Sequence, residues 1–121
     1  MMGNPVTHFE IVGDDGPRLQ EFYRAAFDWQ VLTAVGGYAM VHPGGDGGID
    51  GGVGAPPIGK GHRVTVYIDV DDVQAALHRV EECGGTRITG PIEVPGGPVV
   101  ALFSDPSGNI MGLARRPRTL S

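Results

Sequence analysis

Residues 5–12 and 63–70 are apolar-rich stretches in which apolar residues alternate, Phe9 and Ile11 in the first and Val64, Val66, Ile68 and Val70 in the second, the spacing of a strand with one face against a core. Each is followed by a pair of aspartates and then by apolar residues three and four apart. In the first copy Asp14 or Asp15 caps a helix, Pro17 suits its first turn, and Leu19, Phe22, Tyr23, Ala26 and Phe27 form the apolar stripe. In the second, Asp71 or Asp72 caps a helix with the stripe Val73, Ala76, Leu77, Val80 and Cys83, and Gly84-Gly85 ends it. Three further strands follow each helix: 29–34, 38–42 and 49–54, then 86–94, 98–103 and 109–114. Gly36-Gly37, the loop 43–48 and the Asp105-Pro106-Ser107-Gly108-Asn109 run separate them.

The chain therefore says one thing twice, as strand, helix and three strands. This order predicts an α+β domain with helices packed outside a curved sheet, and a pseudo-two-fold cavity shaped by both copies. The reading is a single domain over 1–121. Module one covers 5–54, a Pro- and Gly-rich linker 55–61, module two 62–115 and a tail 116–121.

Composition narrows the function classes. Of 121 residues, 21 are glycine and 10 proline, and they fall between apolar runs without a strict period. That pattern fits short strands joined by tight turns rather than a fibrous or disordered chain. The net charge of −5 makes nucleic acid and anionic membrane surfaces poor partners. The basic run Arg115-Arg116-Pro117-Arg118 reads as a solvated tail. Cys83 is the sole cysteine, so no intrachain disulfide forms, and its place on the apolar stripe predicts a buried, inert thiol. No signal peptide and no membrane-length apolar run is visible, so the expected location is cytoplasmic.

Phe22-Tyr23 followed by Phe27-Asp28-Trp29, Val70-Asp71-Asp72-Val73 with Ala75-Ala76-Leu77, and Phe103-Ser104-Asp105-Pro106-Ser107-Gly108-Asn109 occur in that order. Together they resemble the signatures of the vicinal oxygen chelate superfamily, also called glyoxalase/bleomycin-resistance/extradiol-dioxygenase, over nearly the whole chain. The resemblance implies two βαβββ modules forming a curved mixed sheet, a cup with its helices outside. It also implies a homodimer and, in active members, a divalent metal held by His, Gln or Glu from the first, fourth, fifth and eighth strands.

At those four positions this sequence carries His8, a glycine near Gly51, Thr65 and Gly112. Only His8 is a competent ligand, and a catalytic metal needs about three protein donors. His62 lies three residues before Thr65, which on a strand is the opposite face. No metal and no other cofactor is therefore expected, and a divalent metal held by His8 with unorthodox donors such as Glu10 or Asp69 is the alternative.

Strand alternation gives a second reading of the same residues. If His8 faces the cup, Glu10 does too, while Phe9 and Ile11 face a helix. Thr65, Tyr67 and Asp69 then share the inner face of the later strand, with Val64, Val66, Ile68 and Val70 turned to the helices. His8 and Glu10 are the catalytic candidates, His8 as a general base near neutral pH and Glu10 orienting it. Thr65, Tyr67, Asp69, Trp29, Tyr38 and Phe103 are the ligand-binding candidates, the last three by stacking on a planar ligand. The function expected is binding or modest transformation of a small polar or aromatic metabolite by a glyoxalase-like homodimer without the usual metal. The alternatives are a metal-dependent lyase, isomerase or dioxygenase of the glyoxalase type, and an antibiotic-sequestering resistance protein.

Overall fold

A computed structural model describes residues 3–32, 37–45, 47–56 and 60–116. The elements run β1 (Val6–Val12), α1 (Gly16–Phe27), β2 (Gln30–Val31), β3 (Tyr38–His42), β4 (Gly51–Gly54), β5 (Arg63–Asp69), α2 (Val73–Glu82), β6 (Thr86–Glu93), β7 (Val99–Ser104) and β8 (Ile110–Arg115). Strand, helix and three strands thus occur twice, and the protein is of the α+β class. Part of the strand expected at 29–34, residues 57–59 of the expected linker and most of the expected tail lie outside the described residues.

The chain divides into two compact units. One is Thr7–Thr65, and the other joins the residues before Thr7 to those from Val66 onward. The division falls within β5, between Thr65 and Val66. The Asp69 amide donates to the Pro5 carbonyl at 2.8 Å, which ties the start of the chain to the later unit.

In the earlier unit the strands lie in the order β2-β3-β4-β1. β1 and β4 are parallel, with Phe9 beside Gly51 and Glu10 beside Gly52. β3 and β4 are antiparallel, with Tyr38 opposite Gly54 and Met40 opposite Gly52. Ala39, Val41 and Val53 are fully buried. Asp15 caps α1 by accepting from the Arg18 amide at 3.1 Å, as the aspartate pair predicts.

The helix does not bury its expected stripe. The residues of α1 that are buried are Gly16 and Gln20, while Phe22 and Phe27 are 56% and 59% exposed. The cause is the close seat of the helix on backbone. A Cβ at Gly16 would lie 2.3 Å from the Gly37 carbonyl oxygen, and Gln20 Nε2 donates to the carbonyls of Val53 (2.9 Å) and Gly37 (3.1 Å). Small and polar residues meet those carbonyls, which leaves Phe22 and Phe27 outward while Tyr23 is half-buried.

In the later unit the order is β5-β8-β7-β6. β5 and β8 are parallel, with Tyr67 beside Gly112. Here α2 packs as its periodicity predicts. Val73 and Leu77 join Ala101, Phe103 and Leu113 in one core, with Ile68, Val70, Ala76 and Val80 around it. Asp72 accepts from the Ala75 amide at 3.1 Å as the N-cap. Cys83 departs from expectation: it is exposed, because α2 ends at Glu82 and Cys83 is the C-cap, off the buried face.

Candidate functional site

β1 carries the centre of the site. Glu10 is 2% exposed, and its neighbours on the strand face the other way. Phe9 turns toward α1 and meets Trp29 at 5.5 Å between ring centroids, with Tyr23 stacked on Trp29 at 4.9 Å. Glu10 is answered from two sides. The Tyr38 hydroxyl donates to Oε2 at 3.0 Å, and Arg63 Nη2 donates to Oε1 at 3.2 Å. The Arg63 and Glu10 side chains are 12% and 3% exposed, so the ion pair is largely withdrawn from water. An unpaired charge so buried would cost several kcal/mol, about 3–5 when one partner is removed.

Gly52 makes this arrangement possible. A Cβ there would lie 1.7 Å from the Tyr38 hydroxyl and 2.1 Å from Cζ. The phenol therefore occupies the volume that any side chain at position 52 would need. Gly51, by contrast, faces the Phe9 ring, 2.6 Å from where its Cβ would be. The inward glycine of β4 is thus Gly52, one residue beyond the position expected from sequence, because the parallel register sets Glu10 beside Gly52.

Thr65 follows Arg63 by two residues on β5 and shares its face. It is 1% exposed, and its Oγ1 has no hydrogen-bond partner among the described residues. His8 is half-buried on β1, on the face of Glu10. His42 Nδ1 and Asp50 Oδ1 pair at 2.9 Å, both partly exposed. Val64, expected on the helix side, is instead 71% exposed at the start of β5.

The later unit differs. Tyr67 is 3% exposed, and its ring covers Gly112, with Cδ2 2.4 Å from where a Cβ would be. Leu102 pairs with Gly112, and Val100 with Ala114, so aliphatic residues flank the Tyr67 ring here. Asp69 is half-buried at the end of β5. Phe103, expected to stack on a ligand, belongs to the core beneath α2 at 8% exposure.

The family's metal set does not fit these residues. His8 is the one good donor at the four positions, Thr65 offers a hydroxyl, and both glycines are covered by tyrosines that exclude a longer side chain. Among the described residues no three His, Cys, Asp or Glu side chains gather as metal ligands.

Sequence reasoning named His8 and Glu10 as catalytic candidates and Tyr38 and Thr65 as ligand-binding candidates, and did not name Arg63, which brings the charge that balances Glu10. Its signal was parity: Arg63 is two residues before Thr65 and so on the inward face. The Asp-Pro-Ser-Gly-Asn motif proves to be a self-contained turn. Asp105 Oδ1 accepts from the amides of Ser107 and Asn109, and Oδ2 from Asn109 Nδ2, all at 2.9 Å. The Asn109 side chain, with those amides, holds the Asp105 carboxyl below its ordinary range.

Residues 6–112 match the Glyoxalase/Bleomycin resistance protein/Dioxygenase superfamily. The chain belongs to that superfamily. It is 28% identical over 127 residues to the anthracycline biosynthesis protein DnrV of Streptomyces peucetius, a match covering 89% of this chain and 46% of that protein. The chain thus spans about half the length of this curated relative. Among solved structures it resembles the hypothetical protein BH1468 from Bacillus halodurans, with a TM-score of 0.72, 15% identity and 99% of each chain covered. It also resembles a Streptomyces coelicolor methylmalonyl-CoA epimerase variant in complex with 2-nitronate-propionyl-CoA, with a TM-score of 0.70, 20% identity and 98% of each chain covered. At these identities the likeness shows the fold. No helix among the described residues is long and apolar enough to cross a membrane.

Proposed function

We propose that this chain is a small-molecule-binding, glyoxalase-like protein that works without the superfamily's usual metal, as a homodimer. The observation that carries the reading is the buried Glu10, held by Arg63 and Tyr38 above a glycine position that a metal ligand would need. A buried ion pair is seldom the cheapest way to stabilise a fold, since an apolar replacement of similar volume is often as stable or more so. Its presence on an inward face supports a role in recognition. Thr65 supports it further, because a buried hydroxyl without a hydrogen-bond partner among the described residues is a donor and acceptor ready for a ligand. In this reading Glu10 anchors a ligand, and His8, on the same face, is the group able to exchange a proton with it near neutral pH. The relative named for anthracycline biosynthesis and the neighbours named for methylmalonyl-CoA epimerase accord with a small organic ligand.

Elemental mass spectrometry on tag-free protein purified without chelators tests the metal-free reading. No metal, and no rise in melting temperature with Zn²⁺, Ni²⁺, Mn²⁺ or Fe²⁺, is the expected result. Near-stoichiometric metal that disappears in His8→Ala would overturn it in favour of a metal-dependent enzyme.

A further inference from the structure

We propose that the Glu10–Arg63 pair, above the bare backbone of Gly52, is a recognition site for a phenolic ligand, and that Tyr38 is its internal occupant. This rests on the ligand-binding reading above and names the ligand class. The site already holds a phenol: the Tyr38 hydroxyl donates to Glu10 Oε2 at 3.0 Å, and the end of its ring lies in the volume left by the missing side chain of residue 52. An external hydroxyaromatic would make the same bond over the same glycine once the Tyr38 ring swings aside. Tyr38 is half-buried while Glu10 is 2% exposed, so the tyrosine is the more accessible partner of this hydrogen bond.

The chemistry of the pair selects the ligand. Glu10 and Arg63 offset each other's charge, and the chain's net charge of −5 disfavours anions. What Glu10 Oε2 takes from Tyr38 is a neutral O–H donor on a flat ring. Thr65, on the face and strand of Arg63, adds a hydroxyl that can bond a second oxygen on the ligand.

The experiment compares p-cresol with toluene, and 2-naphthol with naphthalene, by calorimetry and thermal shift. The proteins are wild type, Tyr38→Ala, Tyr38→Phe and Tyr38→Ala/Glu10→Gln. Tyr38→Ala is expected to bind p-cresol about tenfold more tightly than toluene, the worth of one hydrogen bond to a charged acceptor. Adding Glu10→Gln should remove most of that preference. Wild type should bind 2-naphthol more weakly than either Tyr38 variant, because there the ligand must displace the native phenol. If Tyr38→Ala does not fold, Tyr38→Phe carries the comparison, since its ring has lost its hold on Glu10. Equal affinity for p-cresol and toluene, or 2-naphthol binding indifferent to residue 38, would overturn the proposal. Neither result bears on metal content, so failure of the metal-free reading remains separately visible.

Discussion

At the scale of single residues, the site turns on a glycine. Tyr38 reaches Glu10 only because position 52 has no Cβ, which would lie 1.7 Å from the hydroxyl. Gly52→Ala is therefore expected to displace the phenol and destabilise the fold by about 1–3 kcal/mol, the usual range for forced overpacking. Urea denaturation of Gly52→Ala, Tyr38→Ala and the double variant checks it. If the clash is the cause, the second substitution should cost much less in the background of the first. The sequence made half of this site legible. Alternation placed His8 and Glu10 on one face, and Thr65 on the corresponding face of its strand. It did not reveal that Tyr38 and Arg63 converge on Glu10, because partners 28 and 53 residues away are set by strand register and not by local pattern.

At the scale of elements, the two helices obey different rules. α2 buries the face its periodicity predicts, whereas α1 faces its sheet with Gly16 and Gln20. Gln20 straps α1 to the carbonyls of Val53 and Gly37. Gln20→Leu should cost about 1–3 kcal/mol by leaving a buried carbonyl short of its donor, a loss readable from the urea midpoint. The turn between β7 and β8 carries a pH dependence. Asp105 has its carboxyl held below the ordinary range by Asn109 and neighbouring amides. A lowered folded-state value means that this stabilisation is present above the ordinary carboxylate range and is lost as pH falls through the folded value. The gap in melting temperature between wild type and Asp105→Asn should therefore be open at pH 7 and narrow as the solution is acidified.

At the scale of the whole molecule, the two modules repeat an architecture but not a surface. The inward face of the earlier unit centres on the Glu10–Arg63 ion pair, with Tyr38 and Thr65, while that of the later unit sets Tyr67 over Gly112 among Leu102 and Val100, with Asp69 at the strand end. The earlier unit also exposes Phe22 and Phe27, whose ring centroids lie 6.5 Å apart in one aromatic surface. Because both rings are more than half exposed, Phe22→Ser/Phe27→Ser should cost no more than about 1 kcal/mol in stability. Light scattering on the same variant then asks whether the expected homodimer uses this face: a shift to monomer would assign it, and an unchanged mass would exclude it. The order of elements, the superfamily, a cap within each aspartate pair and the apolar face of α2 were determined by the sequence alone, because periodicity, capping and turn chemistry act within a few residues. Tertiary structure alone decided that α1 turns Phe22 and Phe27 outward, that Cys83 is exposed, that Gly52 rather than Gly51 faces inward, and that Arg63 and Tyr38 close on Glu10. Each of these depends on which backbone approaches which, and that is settled by packing and register between segments far apart in the chain.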